Sequence, residues 1–173
     1  MLWRDSSVDG LKTGHTNAAG YCLVASAERR GMRLISVVLG TDSDAARARE
    51  TQKLLSFGFR HYDTKTIYSA GDTIKENAKV WFGEQEFVNL TIADDVTLTL
   101  PRGSQNQLSA NILVDEQIEA PISAGQELGR LQVSLNDELL IDTPLVAKQS
   151  VEESGIFSRF VDWIVLFITQ LMS

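Results

Sequence analysis

The chain has 173 residues, 43% hydrophobic and 23% charged, with a net charge of −7. This predicts one domain, or two small ones, at ~100–200 residues each; it excludes wholesale disorder and a general nucleic-acid binder, which needs a basic face. One cysteine, Cys22, and two histidines, His15 and His61, exclude a disulfide framework and a cysteine-rich zinc site, so neither a metal nor another cofactor is expected.

The N-terminus, MLWRD, carries no basic region followed by an apolar run of ~7–15 residues, so no signal peptide is read there. A cytosolic protein and a chain whose true start lies upstream both fit. Val8 to Thr13 can form a strand. Residues 21–27, YCLVASA, read as a buried strand, and 28–31 as a polar turn. Residues 32–39, MRLISVVL, read as its antiparallel partner, closed by Gly40. Thr41 to Asp44 offers a helix N-cap. Strong helix formers follow over 45–57, with Gly58 as a C-cap. Strand, hairpin and helix are too little for a domain, since they leave an open sheet edge and uncovered faces.

After Asp63 short alternating runs appear: TIYSAGDTI, FVNLTI, VTLTLPRG, LSANILV and LGRLQVSLNDELLI. Val96, Leu98 and Leu100 against Thr97 and Thr99 have period two, the mark of a half-buried strand. Asn136-Asp137 reads as a hairpin turn. Regular short strands predict a small all-β, sandwich-like domain over 64–147. Residues 148–155 read as a polar connector.

Residues 156–172, IFSRFVDWIVLFITQLM, predict a helix. At ~1.5 Å per residue it spans roughly 25 Å, short of a bilayer core of ~30 Å. Ser158, Arg159, Asp162, Thr169 and Gln170 make a narrow polar stripe on a broad apolar cylinder. The pattern suits a helix lying in a membrane interface through Phe157, Phe160, Trp163, Ile164, Phe167, Ile168 and Leu171. The alternative is a buried C-terminal helix.

Residues 12–14 are Lys-Thr-Gly, followed by His15. A cationic lysine and a hydroxyl can bind a substrate carboxylate. Glycine lets a substrate backbone lie close to the strand. A backbone N–H at the next position can stabilise an oxyanion. VDGLKTGHTNAAGYCLVASA, MRLISVVLG, LLSFGFR, KVWFG, LTLPRG and APISAGQELGRLQV, with the terminal helix, together resemble the D-alanyl-D-alanine carboxypeptidases. These are the low-molecular-mass penicillin-binding proteins.

The resemblance implies an α+β chain in three parts. Residues 1–63 would be the C-terminal remnant of a serine β-lactamase/transpeptidase-like domain. Residues 64–147 would be the small all-β domain, and 148–173 a connector and amphipathic anchor helix. It implies that Lys12 brings positive charge to the cleft and that the Thr13 hydroxyl meets the substrate carboxylate. Gly14 completes the motif. The His15 backbone N–H would supply half of an oxyanion hole, and Arg47 would lie near the terminal carboxylate of D-alanine. The implied activity is removal of the terminal D-alanine from peptidoglycan stem peptides, with β-lactams as competing ligands. The implied place is the periplasmic face of the bacterial inner membrane, held peripherally on the lipid bilayer.

The serine chemistry needs S-x-x-K, and no S-x-x-K occurs in this chain. S-x-N occurs at Ser104, Ser109 and Ser134, all after the Lys-Thr-Gly motif, and is read as chance. The expectation is therefore part of a carboxypeptidase, without a nucleophile and inactive alone. The alternative is a membrane-tethered, non-catalytic binding or spacer module whose β domain meets a partner protein.

Overall fold

The computed structural model describes residues 5–172, without the side chains of 157, 158, 167 and 169–172. The fold is α+β and divides into two compact units, Met1–Lys65 with Leu98–Gln105, and Thr66–Thr97 with Asn106–Ser173.

In the first unit β1 (Val8–Thr16), β2 (Gly20–Arg29) and β3 (Met32–Thr41) form an antiparallel sheet in that order. Helix α1 (Asp44–His61) covers one face. Leu23, Ala25 and Ala27, alternate residues of β2, point the same way by strand periodicity. They bury against Val8, Met32, Leu55 and Phe59. The small alanines let the helix approach the sheet.

The β2–β3 turn is tighter than the four polar residues imply. Only Arg30 and Gly31 make it, at φ of 52° and 75°, because a two-residue turn with both φ positive matches the twist of the strands. Ser43 caps α1, its hydroxyl accepting the Ala46 N–H at 3.1 Å. The helix does not stop before Gly58 but runs one turn further, to His61. Gly58 is a packing residue: a Cβ there would come within 2.5 Å of Leu34 Cδ1 on β3. The Tyr62 N–H returns to the Gly58 carbonyl and closes the helix.

Asp5 ties the start of this unit together. Its carboxylate accepts the Ser7 hydroxyl at 2.5 Å, the Ser7 N–H at 3.0 Å, Arg29 Nη2 at 2.9 Å and Gln52 Nε2 at 3.2 Å. The Ser7 hydroxyl leads in holding its pKa at about 2, below the ordinary 3.8. A depressed folded pKa stabilises fully above the unfolded value and is lost as pH falls from 3.8 towards 2. Asp5→Asn should therefore lower stability by on the order of 1–2 kcal/mol at neutral pH. The difference should vanish by about pH 2 in urea titrations across the acid range. A difference independent of pH would refute this account.

Beyond α1 the strands are β4 (Tyr62–Tyr68), β5 (Thr73–Trp81), β6 (Phe87–Thr91) and β7 (Val96–Pro101). They continue with β8 (Leu108–Val114), β9 (Ile118–Glu119), β10 (Glu127–Leu135) and β11 (Glu138–Ala147). The run expected over 66–74 is broken in two. Gly71 turns at φ 83°, and Asp72 accepts the Ser69 N–H at 2.8 Å.

β4 and β7 pair as a two-stranded ribbon. Val96, Leu98 and Leu100 are buried, while Thr97 and Thr99 hydrogen-bond Thr66 and Thr64 across the ribbon. The other six strands form one sheet, ordered β8-β10-β11-β6-β5-β9. Its pairs are antiparallel except β5 with β9. Val88, Leu90, Leu131, Val133 and Leu145 fill the second unit's core. Asn136 and Asp137 make the expected hairpin turn at φ of 49° and 67°.

The stretch 148–155 is tied into the second unit rather than purely polar. Val151 is buried and exchanges both backbone hydrogen bonds with Ile122, at 2.8 and 2.9 Å. Helix α2 (Ile156–Met172) follows. Its Asp162 accepts the Phe82 N–H at 2.8 Å, and its Arg159 pairs with Glu153 at 2.5 Å. Phe160, Trp163, Ile164 and Ile168 are exposed; the side chains of Phe157, Phe167 and Leu171 lie outside the described residues. Among the described residues no helix is long and apolar enough to cross a membrane.

Candidate functional site

The Lys-Thr-Gly motif lies on β1, the outer strand of the first unit's sheet. An outer strand presents alternate N–H and C=O groups to whatever lies alongside it. Thr13 stands opposite Leu23, Gly14 opposite Cys22 and His15 opposite Tyr21. Thr13 thus shares the face of the buried Leu23, and Lys12 takes the other face.

Lys12, Thr13 and Arg47 line one cleft of about 360 Å³, with Leu11, Leu23 and Asp44. Lys12 Nζ donates to the Thr13 carbonyl at 2.6 Å. Arg47 reaches the cleft from the first turns of α1. Its Nη1 donates to the Gly14 carbonyl at 3.1 Å and to the Cys22 carbonyl at 3.2 Å. Its Nη2 pairs with Asp44, and the guanidinium lies 5.6 Å from the centre of the Tyr21 ring. Only 13% of the Arg47 side chain is exposed, so this arginine straps β1 to β2 directly beneath the motif.

Gly14 takes part through its backbone; a Cβ there would meet only Cys22 Cβ, at 3.9 Å. The His15 ring packs on Tyr21 with centroids 4.0 Å apart and belongs to a separate recess with Asn17 and Asp42. His61 packs on Phe57, and the Cys22 thiol lies 3.5 Å from the Ala19 carbonyl. None of the three S-x-N serines lines the Lys12 cleft.

Two residues of the site were not singled out in the sequence. Asp44 is three positions before Arg47 at a helix start, a spacing that brings two side chains together. Tyr21 left no local signal, because its contact with Arg47 depends on the sheet register. Lys12 and Arg47 against one carboxylate, Asp44, leave the cleft cationic. Beside an outer strand, that suits an extended peptide ending in a carboxylate.

Residues 62–153 match the family model described as penicillin-binding protein 5, C-terminal domain. Residues 1–43 match the model for D-alanyl-D-alanine carboxypeptidase. The chain is 41% identical over 168 residues to D-alanyl-D-alanine carboxypeptidase DacC of Escherichia coli (strain K12), covering 96% of this chain and 42% of that protein. It is 39% identical over 176 residues to DacA of Haemophilus influenzae, covering 100% and 44%. Penicillin-binding protein 5 from Haemophilus influenzae superposes with a TM-score of 0.74 at 37% identity, over 88% of this chain and 45% of that one. DacD from Francisella tularensis gives 0.61 at 37% identity, over 88% and 38%. The chain thus spans about two fifths of the length of the curated relatives it matches.

Proposed function

This chain belongs to the low-molecular-mass penicillin-binding proteins, whose C-terminal part it matches, and on that ground we propose that it is part of a serine-type D-Ala-D-Ala carboxypeptidase. The complete enzyme removes the terminal D-alanine from peptidoglycan stem peptides. A serine attacks the D-Ala-D-Ala peptide bond, D-alanine leaves, and water hydrolyses the acyl-enzyme. β-Lactams are acylating substitutes for that substrate.

The observation that carries this reading is the cleft shared by Lys12, Thr13 and Arg47 along an outer strand. Lys12 supplies the cationic field, and the Thr13 hydroxyl donates to the substrate carboxylate. The His15 N–H contributes one oxyanion donor; the nucleophile's own N–H is the other. Arg47 attracts the terminal carboxylate while its hydrogen bonds to Gly14 and Cys22 hold the strand in place. The second unit and α2 hold the enzyme peripherally on the periplasmic face of the inner membrane.

This chain by itself forms no acyl-enzyme, because it contains no S-x-x-K. Incubated with a fluorescent penicillin and run on a denaturing gel, it should show no labelled band. A covalently labelled band at its own mass would refute the proposal. A second reading, a membrane-tethered spacer or partner-binding module, draws on the second unit having its own buried core. A partner that binds the chain equally well after Lys12→Ala and Arg47→Ala would favour it.

A further inference from the structure

A second cleft in the first unit, of about 340 Å³, uses none of the residues of the Lys12 site. Arg29, Arg30, Arg60 and Arg102 line it, over Met32 and Phe59. Its one lining carboxylate is Asp63, 3.9 Å from Arg102. In a chain of net charge −7, four arginines converging on one hollow call for a physical account.

Two of them are fixed. The Arg29 guanidinium lies 4.6 Å from the centre of the Phe59 ring and pairs with Asp5 at 2.9 Å. Arg102 Nη2 donates to the Phe59 carbonyl at 3.1 Å, and its backbone N–H donates to the His61 carbonyl at 2.8 Å. Those carbonyls belong to the C-terminal end of α1, where a helix carries partial negative charge. Arg102 therefore removes what would otherwise repel an anion.

The other two are unspent. Neither the Arg30 nor the Arg60 side chain has a hydrogen-bond or ion-pair partner among the described residues. Arg30 also sits at φ 52° in the two-residue turn, where Asn, Asp or Gly is the favoured residue. A side-chain-bearing residue there is held in a disfavoured backbone conformation. The turn thus contributes a cation without a side-chain partner to the lining of the cleft.

We propose that this cleft binds a phosphate group. Arg30 and Arg60 supply charge-assisted hydrogen bonds to its oxygens, while Arg29 and Arg102 form fixed cationic walls. The planar guanidinium fork matches phosphate geometry, and several forks can share one tetrahedral anion. The group can be free phosphate or the headgroup of an anionic lipid.

Titration calorimetry of the full chain with inorganic phosphate, at constant ionic strength set with sodium chloride, is the first arm. Binding to phosphatidylglycerol vesicles, with phosphatidylcholine vesicles as reference, is the second. Arg30→Asn keeps a favoured turn residue, and Arg60→Gln keeps a good helix former, so the doubly substituted chain retains its fold. The double variant should bind ~tenfold or more weakly. Arg130→Gln, which removes a charge from the second unit, should change nothing. Weakening in the phosphate arm assigns a soluble ligand; weakening confined to the phosphatidylglycerol arm assigns a lipid headgroup. Equal affinities of parent and double variant in both arms would overturn the proposal, as would an equal effect of Arg130→Gln.

Discussion

Deletion of residues 156–173 is expected to reduce co-sedimentation of the chain with uncharged phosphatidylcholine vesicles by ~100-fold or more. Ile156, Phe160, Val161, Trp163, Ile164, Val165 and Ile168 are all exposed on α2. Burying even half of that apolar area at ~25 cal/mol per Å² is worth several kcal/mol. The helix's described charges are already engaged: Arg159 with Glu153, and Asp162 with the Phe82 N–H. Binding should therefore rest on apolar burial and change little between low and high salt, where a charged surface would release. Equal pelleting of the full and shortened chains would remove the anchor reading. Salt-labile pelleting would assign it to charge instead.

Gly129→Ala is expected to destabilise the chain by about 3 kcal/mol or more. Gly129 lies on β10, between β8 and β11, opposite Val114 and Leu145. A Cβ there would come within 2.3 Å of the Leu113 carbonyl oxygen and 3.0 Å of Val114 Cα. Both obstacles are backbone atoms of the paired strand, so relief requires the two strands to part. Gly58→Ala is the informative contrast. Its obstacle is Leu34 Cδ1, the free end of a side chain that can turn, and it should cost less than ~1.5 kcal/mol. Urea unfolding followed by tryptophan fluorescence measures both. A Gly129→Ala midpoint at or above that of Gly58→Ala would contradict the clash.

Local patterns carried much of the fold. Period-two alternation over 96–100 marked the buried face of β7 because a strand's side chains alternate whatever lies beyond it. Asn136-Asp137 marked the β10–β11 turn because these side chains tolerate positive φ. Gly58 misled because a glycine near the end of a helical run fits both a cap and a close contact. Only the approach of Leu34, from another strand, separates the two. The breadth of the 28–31 turn was overread for a similar reason. Charged residues mark exposure, and Arg29 continues the strand while pairing with Asp5.

The sequence by itself determined the kinds of element, the strand that carries Lys-Thr-Gly, and the apolar helix at the C-terminus. Each is written in residues adjacent in the chain or one helical turn apart. Tertiary structure alone decided the sheet order β8-β10-β11-β6-β5-β9, which joins strands far apart in sequence. It also decided that Arg47 straps Gly14 to Cys22, that Asp162 accepts the Phe82 N–H, and that four arginines from a hairpin, a helix end and a distant strand end share one cleft. These are non-local contacts, set by how packed elements bring distant residues within hydrogen-bond or ion-pair reach, and no pattern of neighbouring residues encodes them.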